Sequence, residues 1–235
     1  MRYLALATDF DGTLATDGAV DDMTLAALDR LRGSGRKLIL VTGRELDELR
    51  RIFPALGRFD RVVAENGGLL YRPASQEEKP LGPPAPERLV AALRSRGVTP
   101  ISVGRVIVAT WQPHESTVRE VIGELGLEYQ MILNKGAVML LPVGINKASG
   151  LAAALEELGL SASDVVGVGD AENDLAFLQA CHRGVAVANA TELLKHRADW
   201  VTAADHGAGV RELIDRLLSD DLAWLEACGR LKNRY

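Results

Sequence analysis

The stretch Tyr3-Leu4-Ala5-Leu6-Ala7-Thr8-Asp9-Phe10-Asp11-Gly12-Thr13-Leu14 decides the fold. Leu4 to Ala7 form a short apolar run of the kind that builds a strand buried on both faces. Side chains alternate along extended backbone, so Asp9 and Asp11 are expected to share one direction while Phe10 turns toward the core. Gly12 then permits a tight turn with exposed amides, a setting that suits an anion. Two carboxylates crowded at a strand end repel each other and raise one pKa, unless a cation lies between them. Alone, this would be no more than an acidic turn.

Downstream, the same arrangement repeats. Asp21 or Asp22 can cap a helix carrying Leu25, Leu28 and Leu31, stopped by Gly33 and Gly35. Leu38-Ile39-Leu40-Val41 is a second buried strand, ending in Thr42-Gly43-Arg44, and Glu45 to Phe53 has the spacing of an amphipathic helix. Val62-Val63-Ala64 is a third strand, followed by Glu65-Asn66-Gly67-Gly68 and an extended Leu69-Leu70-Tyr71. This order predicts an α/β protein with a doubly wound parallel sheet.

Composition then shifts. Residues 73–86 hold five prolines and read as a linker or exposed loop. Beyond them come a helix near 86–96, a β-rich run over 101–111, a helix over 114–125, and strands at 129–133 and 137–141. These suggest a small α/β unit inserted into the first. The parallel pattern resumes with a helix over 147–158 capped by Asn146, a strand at 165–168 ending in Gly169-Asp170-Ala171-Glu172-Asn173-Asp174, and a helix from Leu175. Strands at 185–187 and 200–201 follow, with helices at 191–197 and 208–218. The expected division is a core of residues 1–71 and 143–219, a cap of residues 72–142, and a helical tail of 220–235 bearing Leu222, Trp224, Leu225 and Leu231.

Composition narrows the function. The net charge of −5 over 235 residues argues against a nucleic-acid partner held by phosphate contacts. An anionic substrate would therefore need local attraction, for which a divalent metal is the obvious candidate. Cys181 and Cys228 stand far apart, which leaves neither a disulfide framework nor a cysteine zinc site. With no signal-peptide layout and no apolar run of roughly 18 residues, the expectation is a cytoplasmic protein without a membrane partner, monomeric or homodimeric. Neither a P-loop nor a G-x-G-x-x-G fingerprint is present.

Four polar clusters, Asp9/Asp11, Thr42-Gly43-Arg44, Asn66-Gly67 and Asp170 with Asn173/Asp174, thus stand at the C-terminal ends of candidate parallel strands, the edge where open α/β sheets bind ligands. In order, Asp9-Phe10-Asp11-Gly12-Thr13, Val41-Thr42-Gly43-Arg44, Lys147 and Gly169-Asp170-Ala171-Glu172-Asn173-Asp174 resemble the four motifs of the haloacid dehalogenase-like phosphohydrolases. The insertion after Asn66-Gly67 is similar to the Cof-like branch, and within it to phosphoglycolate, sucrose-phosphate and mannosyl-3-phosphoglycerate phosphatases. The resemblance spans nearly all of the chain except its tail.

It implies a Mg²⁺-dependent phosphatase acting on a small phosphomonoester, a sugar phosphate or phosphorylated organic acid. Asp9 would be the nucleophile and Asp11 the acid and base, with Thr42 and Lys147 steadying the phosphoryl group. Asp9, the Asp11 carbonyl, Asp170 and Asp174 would hold Mg²⁺. Gly12, Thr13, Gly43, Arg44, Asn66 and Asn173 would line the substrate, with Arg44 also available to pair with nearby acids. Arg105, His114 and Lys135 are the cap's candidates for the organic part of the substrate. The rival expectation is a regulatory or interaction module, or a phosphotransferase, within a larger polypeptide.

Overall fold

The computed structural model describes residues 1–225. In chain order the strands are β1 (Ala5–Thr8), β2 (Lys37–Val41), β3 (Arg61–Ala64), β4 (Leu69–Arg72), β5 (Glu77–Pro80), β6 (Ser102–Val103), β7 (Val108–Trp111), β8 (Tyr129–Asn134), β9 (Ala137–Pro142), β10 (Val165–Gly169), β11 (Arg183–Ala186) and β12 (Trp200–Val201). The helices are α1 (Asp22–Gly33), α2 (Leu46–Ile52), α3 (Glu87–Ser95), α4 (Glu115–Glu124), α5 (Lys147–Leu158), α6 (Leu175–Ala180), α7 (Glu192–Arg197) and α8 (His206–Ser219).

The apolar runs make the centre of one eight-stranded sheet, ordered β12-β11-β10-β1-β2-β3-β4-β5. The six strands from β12 to β3 are parallel. They are covered by helix pairs, α1 with α8 and α5 with α6. That cover explains why β1, β10 and most of β2 are apolar without alternation. Asp21 caps α1 by accepting the Thr24 N–H.

β6, β7, β9 and β8 form a separate antiparallel sheet. Here one face is distinct from the other. Val138 and Leu140 of β9 join Leu89, Leu93, Val118 and Val121 beneath α3 and α4, while Met139 and Leu141 face the opposite way with Val106 and Ile107. The β8–β9 connection is Lys135-Gly136, both at positive φ, which makes a tight hairpin with Lys135 at its tip.

One expectation changes. The proline-rich segment read as a linker contributes β5, which pairs antiparallel with β4, Leu69 opposite Pro80 and Arg72 opposite Glu77. The large sheet therefore runs past residue 72. Asp221, in the segment expected as a helical tail, stands at positive φ and ties down the other end of the chain, accepting from the Arg2 amide and from Arg36 Nη2 at 2.8 Å. Leu222 and Leu225 pack into the main core, and Leu231 lies outside the described residues.

Glu157 braces α5 across the outer strands. It accepts from Arg72 on β4 at 2.6 and 2.8 Å, from Arg61 on β3 at 2.9 Å and from Lys79 on β5 at 3.3 Å. Its Arg72 bonds, then those of Arg61 and Lys79, overcome burial and hold its pKa down to about 2, against an ordinary 4.5. Stability from a depressed carboxylate is present above its unfolded pKa and is lost as the pH falls through the folded one. The Glu157→Gln variant should be about 1–2 kcal/mol less stable at pH 7. Urea titrations should show that gap closing between pH 4.5 and 2.

Candidate active site

The polar clusters meet where the parallel strands end. Asp9 follows β1, Thr42 follows β2, Asn66 lies in the turn after β3, and Asp170 follows β10. Lys147 enters from the first turn of α5, whose start is fixed by Asn146. That side chain accepts the Ala148 and Ser149 N–H groups, while Ser149 Oγ accepts the Asn146 N–H. The helix comes in tight against the turn after β3. Gly67 sits at φ +100°, and a Cβ there would lie 2.0 Å from the Asn146 carbonyl oxygen. Only glycine permits that approach, and with it the position of Lys147.

Lys147 Nζ lies 2.6 Å from Asp9 Oδ1 and 2.5 Å from Asp174 Oδ1. Asp9, Lys147, Asp170 and Asp174 are each at most 4% exposed, so water does little to screen them. Asp174 Oδ2 accepts the Asp170 and Ala171 N–H groups, which fixes the loop after β10. Thr13 Oγ1 donates to Asp170 Oδ1 at 2.9 Å and joins that loop to the one after β1. Carboxylate oxygens of Asp9, Asp170 and Asp174 all lie within 4.8 Å of one another.

Burial, then Asp174, and more weakly Asp170, raise the Asp9 pKa well above the usual carboxylate range, against the pull of Lys147. Burial would lower the Lys147 pKa, but Asp174 and Asp9 outweigh it and push it up. Lys147 therefore stays an ammonium, and three buried carboxylates outnumber it. Their hard oxygen donors, within reach of one another, fit a divalent cation such as Mg²⁺. Another ammonium is already drawn to the place: Lys135 Nζ lies 2.9 Å from the Asp11 carbonyl oxygen and 2.8 Å from Asp170 Oδ2.

The Asp11 carboxylate does not face Asp9. It is turned to Arg44, whose Nε and Nη2 each donate to it at 2.7 Å, while Arg44 Nη1 binds Glu48. The crowding expected between Asp9 and Asp11 comes instead from Asp174 and Asp170. Phe10 is buried between these loops and the core, with its ring 5.2 Å from Phe53. Thr42 is buried, and its hydroxyl accepts the Arg44 N–H at 3.2 Å, leaving its own proton to donate. Gly43 packs on the Asn66 side chain, whose Nδ2 meets Met139 of the second sheet and whose Oδ1 has no hydrogen-bond partner among the described residues. Asn173 Oδ1 is similarly buried and unpartnered among them.

Two of the three candidates from the inserted unit are occupied elsewhere. Arg105 pairs with Asp47 and Glu78, and His114 bonds the Thr99 backbone. Only Lys135 reaches the site. Sequence reasoning missed Asn189 and His206, which both donate to or share a hydrogen bond with the Gly12 carbonyl, at 2.7 and 2.9 Å. Asn189 follows β11, so the strand-end rule that located the other clusters also applied to it. It missed Glu65 as well, whose buried carboxylate accepts the Arg105, Val106 and Ile107 N–H groups and joins the two sheets. Burial pushes the Cys181 thiol up to about 12, so it is no nucleophile. Among the described residues no helix is long and apolar enough to cross a membrane.

Solved structures share this architecture. A Thermoplasma acidophilum protein superposes with a TM-score of 0.80 at 18% identity, covering 92% of this chain and 98% of its own. A haloacid dehalogenase-like hydrolase from Bacteroides thetaiotaomicron does so with a TM-score of 0.75 at 22% identity, covering 92% and 99%. Likeness in sequence is closer. The phosphoglycolate phosphatase of Methanothermobacter thermautotrophicus is 36% identical over 225 residues, 91% of this chain and 98% of its own length. That of Methanopyrus kandleri is 33% identical over 224 residues, covering 91% and 96%. A family model matches residues 6–101 and 132–214, which include the loops carrying Asp9, Thr42, Asn66, Lys135, Lys147, Asp170, Asn189 and His206, and the chain belongs to the haloacid dehalogenase-like hydrolases that this model describes.

Proposed function

We propose that the chain is a Mg²⁺-dependent phosphatase that hydrolyses a short phosphorylated organic acid, with 2-phosphoglycolate as the first candidate. The observation that carries the reading is Lys147 bridging buried Asp9 and Asp174 within a cluster of three carboxylates at the sheet's ligand-binding edge. The names of the relatives favour phosphoglycolate among small esters. So does Lys135, a cationic side chain from the inserted unit that reaches the site and suits an anionic leaving group.

Asp9 attacks phosphorus in line, the bond to the leaving oxygen breaks, and the phosphoryl group is carried as an aspartyl-phosphate. Asp9, the Asp11 carbonyl and Asp170 would hold Mg²⁺, which would supply the charge neutralisation that lets a carboxylate approach a phosphate dianion. Lys147 adds fixed positive charge and keeps Asp9 aligned. Both Asp174 oxygens are engaged, so this residue orients Lys147 and the loop after β10. Thr42 and the Gly43 amide orient the phosphoryl oxygens, whereas the Gly12 and Thr13 amides expected to do so donate to the Ala15 and Phe10 carbonyls. Asn66 and Asn173 each offer a buried amide oxygen that has no partner among the described residues.

Asp11 protonates the leaving oxygen and then accepts a proton from the water that attacks phosphorus and frees Asp9. To do so its carboxylate turns away from Arg44, which serves as its resting partner. Residues 81–142 act as the cap, excluding bulk water while the phosphoryl group is transferred.

A phosphate-release assay across short phosphorylated acids and sugar phosphates tests this. Release should need Mg²⁺, stop with EDTA, equal the substrate consumed, and favour 2-phosphoglycolate over glucose 6-phosphate by at least about tenfold in kcat/KM. Release unaffected by EDTA, or phosphate appearing on an acceptor alcohol in place of water, would count against it.

A further inference from the structure

Lys135 stands where two needs conflict. Its Nζ donates to the Asp11 carbonyl oxygen and to Asp170 Oδ2, on the loops that follow β1 and β10. Those are two of the oxygens assigned to the divalent cation. The niche is narrow: a Cβ on Gly12 would lie 2.5 Å from both Lys135 Nζ and Asp170 Oδ2. A Mg²⁺ ion draws its oxygens to about 2.0–2.1 Å and sheds few of its remaining ligands. An ammonium donating to the same oxygens would meet that ion at close range and be repelled by it.

We propose that Lys135 is a tethered competitor of the metal, its ammonium and a divalent cation excluding each other from Asp11 and Asp170. In the metal-free chain the β8–β9 hairpin is then fastened to the site through its tip. Metal loading expels the ammonium, frees the tip, and leaves Lys135 over the site facing outward to an anionic substrate. The side chain can make this exchange because it is half exposed on a tight hairpin. Arg105 cannot replace it, being paired with Asp47 and Glu78. The proposal rests on the reading of the acidic cluster as a Mg²⁺ site.

Isothermal titration of the substrate-free full chain with MgCl₂ tests it, comparing wild type with Lys135→Met and Lys135→Asn. The first keeps the apolar stem, and the second suits the positive φ at this position. Both variants should bind Mg²⁺ about tenfold more tightly than wild type, since they lose two charge-assisted bonds that the metal must otherwise break. Hydrogen exchange of the amides of residues 133–137 should speed up in wild type on saturation with Mg²⁺ and be fast from the start in both variants. Equal or weaker Mg²⁺ binding in the variants, or hairpin exchange that ignores Mg²⁺ in wild type, overturns the competition. Neither readout involves turnover. Equal affinities therefore refute the lysine's role while leaving the phosphatase reading intact, whereas competition without hydrolysis refutes the phosphatase reading alone. Absence of Mg²⁺ binding in all three proteins refutes both.

Discussion

Replacing Asp9 by Asn should reduce phosphate release at least about 10⁴-fold while the protein stays folded. The amide has nearly the shape of the carboxylate and can still accept from Lys147 Nζ, now 2.6 Å away. What it lacks is the charge and nucleophilicity to bond phosphorus. Stability should move the other way. The Asp9 carboxylate is buried beside Asp174 and Asp170, which disfavour its ionisation. Removing it relieves that repulsion, so the metal-free variant should melt at or above the wild-type temperature at pH 7. A loss of activity accompanied by unfolding would point instead to a structural role, and retained turnover would remove Asp9 from the mechanism.

Lys147→Met should fail in both respects. Methionine has comparable length and no charge, so Asp9 and Asp174 would share a buried space without a counter-ion. Breaking a buried pair by removing one partner costs about 3–5 kcal/mol, because the remaining charges are left uncompensated. Denaturant unfolding in EDTA should show a loss of this size. Phosphate release in saturating Mg²⁺ should fall by about 10²–10³, the scale of losing one preorganised electrostatic contact. Adding Mg²⁺ should recover part of the stability and little of the activity. A variant as stable as wild type in EDTA would contradict the charge balance described for this site.

Asp9 is readable in the sequence because buried parallel strands leave a plain trace. β1, β2, β3 and β10 are short apolar runs that stop at polar loops, and their order forces the loops to one edge. Asp9, Thr42, Asn66 and Asp170 follow from that rule, whereas Lys147 is picked out by the resemblance to the family's motifs. β5 was hidden because Glu-Glu-Lys-Pro has neither apolar character nor alternation. An edge strand pairs through its backbone on one side only, and charges and proline are what such a strand tolerates. The Asp11–Arg44 pair was only partly legible, since spacing along a strand says nothing of which way a side chain turns once the strand has ended.

Lys135 was harder still. Sequence places it in a hairpin of the inserted unit but cannot show that the hairpin tip reaches Asp170, which is 35 residues further along the chain. Asn189 and His206 hold the Gly12 carbonyl by the same kind of distant convergence. Local pattern thus locates the loops of this site, and tertiary packing decides which side chains meet in it.

The central claim is that phosphorus passes through a covalent bond to Asp9. Its most direct test is rapid quenching of a single turnover with ³²P-labelled substrate and Mg²⁺, borohydride reduction to trap any acyl-phosphate, and mapping of the modified peptide. The account predicts conversion of Asp9 to homoserine in step with the transient label, and none in the Asp9→Asn protein. Modification at another residue, or full turnover by a protein lacking the Asp9 carboxylate, would contradict it.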